Sequence, residues 1–307
     1  MAGTITRGNI PRLLQEGINK VFGQTYNEHK TEWTDILDVE TSKKAFELDQ
    51  MLEGMGLAAP KPEGSDVAMD DFRQGFAPKY NHLTYAKGFI VTEEALADEQ
   101  YGVMTKKARM LAYSMRQTEE VVGANILNRG FNGAFTMTDG DGQSLFSTAH
   151  GLGPSGGSFS NRLAVAADLS EASLEDLTIQ IGQAVDSRGL KINIRPTRLI
   201  VPVALQYEAA RILKSTLQND TANNAINALK EMGVFSKGVS VNHYLTSDDA
   251  WFIKTDCPDG VKRFNRTMVK FGEDNAFLSG NARFKATQRY SVGWSDARGM
   301  YGSQGTA

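Results

Sequence analysis

The stretch between Thr92 and Gly130 constrains this chain most. Met104, Ala108, Leu111, Met115, Thr118, Val122 and Ile126 recur there at steps of three or four, the spacing of one helical face. Thr92 can cap the start, and Glu93 and Glu94 favour the positive end of the helix dipole. A helix over 93–129 would be about 55 Å long at 1.5 Å per residue, far beyond the usual three turns. A helix of that length is a strut across a flat body or a coiled-coil arm. Heptad e/g charge pairing is unconvincing, so the strut is preferred.

The rest of the chain must supply layers against this strut. Pro11 suits a first helical position, and Leu14, Ile18, Val21 and Phe22 follow at helical spacing. This short helix reads equally as an arm packing on something else or as a helix docked on its own domain. Over residues 44–92, two flanks able to pair enclose the breakers Pro60, Pro62, Gly64, Gly75 and Pro78, which predicts a long projecting hairpin. Residues 131–168 are glycine-rich and irregular. Leu174, Leu177, Ile181 and Ala184 predict a second helix closing near Gly189. Leu199-Ile200-Val201 reads as a buried strand. Short helices are expected over 204–215 and 222–232, the latter capped by Thr221 and stopped at Gly233. Val239, Val241, His243 and Leu245 alternate as a strand. Residues 251–255 and 261–264 flank a candidate hairpin turn at Asp256-Cys257-Pro258-Asp259-Gly260. Phe284, Ala286, Gln288, Tyr290, Val292 and Trp294 alternate along a long strand whose other face carries Arg283, Lys285 and Arg289. Such a basic face is ordinarily solvated or paired with carboxylates rather than a DNA patch. The tail from Gly299 to Ala307 reads as frayed, and no repeat of fixed period is present.

Composition bounds the class. At 307 residues, 41% hydrophobic, the chain can bury the core of one large or two modest domains. The net charge of −3 gives no strong field toward nucleic acid or an anionic membrane. The lone Cys257 excludes an intrachain disulfide and fits a reducing cytoplasm. The first residues lack a signal-peptide core, and Ala2 excludes myristoylation. The apolar run from Leu199 to Leu205, interrupted by Pro202, falls short of a bilayer span.

The candidate chemistry fails on context. Gly151-Leu152-Gly153-Pro154-Ser155-Gly156 matches a dinucleotide fingerprint as a string, but no strand precedes it and no helix start follows. It also lacks the terminal Gly-Lys-Ser/Thr of a P-loop. Asp139-Gly140-Asp141-Gly142-Gln143 resembles the start of a calcium loop, yet its twelfth position is His150 instead of glutamate. An Asp/Gly turn is the simpler reading. His29, His82, His150 and His243 show no HExxH spacing, and Cys257 has no nearby ligand partner. Ser144, Ser147 and His150 lie close together without a Gly-x-Ser-x-Gly elbow. The residues therefore predict an α+β protein with a strut helix, a projecting hairpin, and no catalytic, cofactor or metal site.

Four stretches carry a family resemblance. The first is Trp33 to Leu37, followed by Ser42 to Glu47 and by Gly54 to Ala58. The second runs from Gln74-Gly75-Phe76-Ala77-Pro78-Lys79-Tyr80 through Gly88-Phe89-Ile90-Val91-Thr92. The third is Asp139 to His150 with Ser160-Asn161. The fourth is Pro196 to Leu205 with Ala209 to Leu213. In order and spacing they resemble the major capsid proteins of tailed bacteriophages, which share the Hong Kong 97-type capsid fold. The family usually has proline after the histidine of the third stretch, where this chain has Gly151.

The resemblance implies an N-terminal arm over 1–43, an extended loop over 44–92, and a peripheral domain over 93–159 with its spine helix at 93–129. It further implies an axial domain over 160–270 and return strands over 271–307. The function implied is a structural one: a major capsid subunit, not an enzyme, that self-assembles as pentamers and hexamers into an icosahedral head around phage DNA. Implied partners are further copies of itself, a separate scaffolding protein (the arm begins almost at once, unless earlier cleavage removed a segment), a portal, decoration proteins in some members, and DNA held non-specifically. No membrane partner is implied. The location implied is the virion head, after synthesis in the bacterial cytoplasm. Lys61, Lys79 and Lys87 are candidates, by position only, for the loop lysine that some members cross-link to an asparagine. An encapsulin-type nanocompartment of the same fold, holding cargo protein, is the nearest alternative. A nucleotide-dependent enzyme built on the 151–156 glycines is a remote one.

Overall fold

In a computed structural model, residues 10–92, 101–154, 156–217, 226–275 and 281–306 are described. The chain builds two four-stranded sheets joined along one core. The first holds β1 (Asp38–Thr41), β10 (Val261–Asn275), β11 (Ala282–Trp294) and β4 (Leu83–Val91), in the order β1-β10-β11-β4. Inward residues of β11 alternate as its sequence predicts. Phe284 and Ala286 lie under α1 (Ile10–Glu28) and the strut helix α3 (Tyr101–Asn128). Met104, Ala108, Leu111 and Met115 of α3 are buried against this sheet, together with Ile18 and Phe22 of α1. The N-terminal helix is thus docked on its own chain. The expected Thr92 cap and first turns of the strut involve residues 93–100, outside the described residues.

Leu111→Ala is expected to destabilise the subunit by about 2–5 kcal/mol, the range for a buried leucine. The exposed Lys107→Ala should stay within about 0.5 kcal/mol. Chemical denaturation of the two variants checks the helix phase, and equal effects would contradict it.

The second sheet has the order β12-β9-β7-β8 and combines β7 (Pro196–Pro202), β8 (Val239–Asn242), β9 (Trp251–Thr255) and β12 (Met300–Ser303). β7 is apolar on both sides because both of its faces are covered. Leu199 and Val201 enter a cluster with α4 (Glu171–Gly182), while Ile200 enters a cluster with Trp33, Leu127, Phe146, Phe252 and Trp294. α4 starts in a Ser170/Ser173 capping box.

Four expectations are corrected. First, the 256–260 turn does not close a hairpin. β9 pairs with β7 and β12, whereas β10 pairs with β1 and β11, so the chain changes sheet at this turn. The whole of β10, including 261–270, therefore belongs to the helix-backed sheet. Second, the tail is not frayed: Met300–Ser303 is a buried strand on β9. It places Met300 and Tyr301 in the two cores, burial that a four-residue run cannot reveal by periodicity. Third, the expected short helices are α5 (Gln206–Lys214) and α6 (Ala228–Glu231); α6 is capped by Asn227, and Thr221 falls outside the described residues. Fourth, only the base of the 44–92 hairpin pairs on itself, with β2 (Phe46–Leu48) on β3 (Lys79–Asn81) and a bridge from Leu52 to Gln74. The flank 83–91 pairs with β11.

Where the chain changes sheet, Gly260 faces Gly299. A Cβ on Gly299 would stand 2.4 Å from the Gly260 Cα, so neither position admits a side chain without a shift of backbone.

Candidate assembly surfaces

The hairpin leaves the body through a densely bonded neck. Asp49, at its start, accepts from Lys262 Nζ at 2.7 Å and from Ser295 Oγ at 2.6 Å. Ser295 is also hydrogen-bonded to the Tyr80 hydroxyl at 2.7 Å. Burial works against the Lys262 ammonium, but hydrogen bonds to Asp259 and Asp49 outweigh it and hold its pKa above the usual lysine value. Beside it, His82 is buried between two hydroxyls. Its Nε2 lies 3.1 Å from Ser42 Oγ and its Nδ1 3.0 Å from Ser291 Oγ. Ser42 donates to Glu47, which assigns the Nε2–H tautomer: His82 donates to Ser42 and accepts from Ser291.

Burial, then the Arg289 charge, pushes the His82 pKa down from 6.5, so folding favours the neutral ring. Below about pH 6.5 the unfolded chain binds the proton more readily, so this contribution is complete above that pH and is lost as pH falls through the lowered folded value. The melting temperature of the parent should therefore drop more steeply between pH 7.5 and pH 5 than that of His82→Gln. Parallel curves would contradict the assignment.

Beyond the neck, Arg188 ties the hairpin to its own subunit. Its guanidinium reaches Asp70 at 3.2 Å and the Asp71 carbonyl at 3.0 Å, with the buried Glu53 carboxylate 3.8 Å away. Between Gly56 and Asp70 the chain is bare. It turns at Pro62–Ser65, with Gly64 at φ 78°, and exposes Leu57, Val67 and Met69, the last at 92%. These apolar side chains stand exposed on a loop held firmly at its base. No sequence signal announces Arg188, whose partners lie 117 and 118 residues away.

The chemical candidates occupy structural positions. The 151–156 glycines form the turn between β5 (His150–Gly151) and β6 (Ser158–Phe159); Gly153 and Gly156 have positive φ, and no helix start follows. Asp141 closes an Asx turn onto the Gln143 amide and meets His150 Nδ1 at 2.5 Å. The other ring nitrogen of His150 faces the Leu145 carbonyl, while Ser144 donates to the Phe146 carbonyl and Ser147 to Gln143, so neither serine engages the histidine. His29 packs on Tyr113, and His243 meets Glu32. Cys257 is half-buried, and burial, then the Asp296 charge, pushes its thiol pKa up, which keeps it protonated. Lys61 is exposed, Lys79 lies over the Phe46 ring, and Lys87 donates to Ser114. Among the described residues no group of three or more His, Cys, Asp or Glu could hold a metal ion, and no helix is long and apolar enough to cross a membrane. Asn161, from the third stretch, is a hub. Its side chain donates to the carbonyls of Leu145, Ala297 and Met300 and accepts from the Ser147 amide, fastening this loop to the C-terminal strand.

The phage capsid protein family matches residues 77–303, most of the chain and nearly all of both sheets. The chain belongs to that family. As a phage capsid protein it is a structural subunit of the head shell. Three solved structures share its Hong Kong 97-type fold at low identity. A virus-like particle from Pyrococcus furiosus is 14% identical, with 94% of this chain and 98% of that one covered, at TM-score 0.54. The capsid of Myoviridae phage XM1 is 9% identical, covering 88% and 89%, at TM-score 0.52. Mycobacterium phage Patience provides a chain 10% identical, covering 100% and 90%, at TM-score 0.55. No curated protein matches this capsid subunit in sequence.

Proposed function

We propose that this capsid subunit is the major one. Its copies assemble as pentamers and hexamers into an icosahedral head around phage DNA, assisted by a separate scaffolding protein and interrupted at one vertex by a portal. Decoration proteins are further candidate partners of the closed shell, and synthesis takes place in the bacterial cytoplasm. The role is structural and not catalytic. The helix-backed sheet with α1 and α3 is the peripheral unit, and the second sheet, β12-β9-β7-β8, with α4 to α6 is the axial unit. The observation that carries this reading is the bare hairpin tip, Leu57 to Met69, on a bonded neck. A subunit that buries little surface per neighbour gains cohesion when a tethered segment reaches the next copy, because the second contact forms at high effective concentration.

Electron microscopy of the protein expressed with and without its phage's other head genes tests the proposal. Closed particles or capsomer rings are expected, and a stable monomer at high concentration in both cases would refute it. The nanocompartment alternative predicts closed particles that hold protein cargo and no nuclease-protected DNA.

A further inference from the structure

One loop outside the neck and the hairpin carries chemistry of its own. Asn132-Gly133 is the chain's one Asn-Gly pair, and it lies just past the end of α3 with Asn132, Gly133 and Ala134 all exposed. Three features coincide at its carboxamide. Asn132 Oδ1 accepts from the Ala134 amide at 3.0 Å, which polarises the side-chain carbonyl. The neighbouring Gly133 nitrogen donates to nothing among the described residues, and glycine places no Cβ beside it. The Asn132 side-chain nitrogen is likewise without a partner among them and open to solvent. Asn161, by contrast, is fully buried and gives its side-chain nitrogen to three carbonyls.

We propose that Asn132-Gly133 is a self-modification site that turns to isoaspartate with time. The Gly133 nitrogen attacks the Asn132 side-chain carbonyl carbon, and its proton passes to solvent. The Ala134 N–H, already in place, stabilises the oxyanion that forms on Oδ1. The bond from that carbon to the side-chain nitrogen then breaks, and the nitrogen takes up a proton and leaves as ammonia. Water opens the five-membered imide, chiefly so that the main chain runs on through the former side chain. Nothing is oxidised or reduced, and water is the sole co-reactant. The product lengthens the backbone by one methylene and adds one negative charge. The Asn132 main-chain carbonyl, which becomes part of the free carboxyl, now holds the Phe135 amide at 2.8 Å, and Phe135 packs on Trp294 with Arg129 over its ring. The new charge stands just past the negative end of α3, where it is unfavourable. Asn132 also lines a cavity of about 220 Å³ with Phe131, Leu245 and Phe252. The change is one-way, so it sets old subunits apart from new ones and loosens this loop in them.

Ageing of the purified protein tests it, read by mass spectrometry of the tryptic segment from Gly130 to Arg162, whose asparagines are Asn132 and Asn161. Over weeks at pH 8, Asn132 should gain one dalton and become a substrate for an isoaspartate methyltransferase, while Asn161 stays intact. The mass gain separates this reaction from rearrangement at Asp139-Gly140 or Asp141-Gly142, which leaves the mass unchanged. A Cβ at Gly133 would meet nothing within 4 Å and its φ is not positive, so Gly133→Ile should fold as the parent does. That variant should slow the conversion by about tenfold or more, because a stiff branched side chain crowds the attacking nitrogen. Asn132→Gln, which would have to close a larger ring, should stay unmodified over the same period. The same chain unfolded in urea should convert no more than about tenfold faster than the native protein, since the fold already supplies the reacting geometry. A larger gap, or an Asn132 still intact when the urea sample has reacted, would mean that the fold protects the site and would overturn the proposal. Aged parent should also melt below aged Asn132→Gln, and equal melting temperatures would overturn the loosening.

Discussion

Arg263→Ala is expected to cost the subunit about 3–5 kcal/mol, the range for breaking a buried ion pair. Arg263 lies between the rings of Trp33 and Tyr290, with its guanidinium carbon 4.1 Å from each centroid. It donates to Glu119 at 2.5 Å and to Asn265 at 2.7 Å. Glu119 is itself buried on the strut and also accepts from the Tyr26 hydroxyl and from Arg116. Removing the arginine leaves a carboxylate in a dry site with only Arg116 to balance it, and opens a gap between two rings. Glu119→Ala strands the guanidinium and should cost a similar amount. The double variant Arg263→Met/Glu119→Met should lose far less than the sum, because apolar residues of similar volume remove both buried charges at once. Urea denaturation of the three variants decides; a double variant as weak as the sum would mean the pair is not coupled.

Replacing residues 57–69 by a short Gly-Ser turn should leave melting cooperative and near the parent temperature while abolishing closed shells. The boundaries follow from the contacts. Asp70 and Asp71 are held by Arg188, and Phe76 packs on the Gly151 turn, so cutting there would injure the subunit itself. The tip makes no core, and fixing it in a free subunit would cost about 1–2 kcal/mol of backbone entropy per residue without compensation. Hydrogen exchange across 57–69 should therefore be fast in capsomers and slow in particles. Loss of folding, or normal closure without the tip, would remove the tip from the assembly reading.

The sequence was most informative where order is local. The α3 stripe and the β11 alternation are periodic over many residues, so one buried face leaves a trace in the chain. Leu199 to Val201 was legible as a doubly covered strand for the same reason. What escaped depends on distant partners. The 256–260 turn has the residues of a hairpin turn, but which sheet the next strand joins is decided by Ala282–Trp294, not by the turn. The Arg188 tie and the Arg263–Glu119 pair join residues more than a hundred positions apart, and charged side chains read as surface until the fold encloses them. Glu120 illustrates this well. On the strut it looks like a solvated acid, yet it accepts the Glu32 and Trp33 amides and so caps the short helix Trp33–Ile36 from outside.

The Gly260–Gly299 contact bears on how one chain fits several positions in a closed surface. There the two sheets meet backbone to backbone, with no side chain to change rotamer and no gap to close. A cluster containing residues of both sheets, Ile200 and Phe252 with Val261 and Trp294, lies beside the crossing. Such a joint works as a rivet and not as a hinge. In a shell assembled as proposed above, copies at sites of different curvature would keep a common angle between their sheets, and the mismatch would be taken up outside the rivet, by whatever is tied to the body through few bonds.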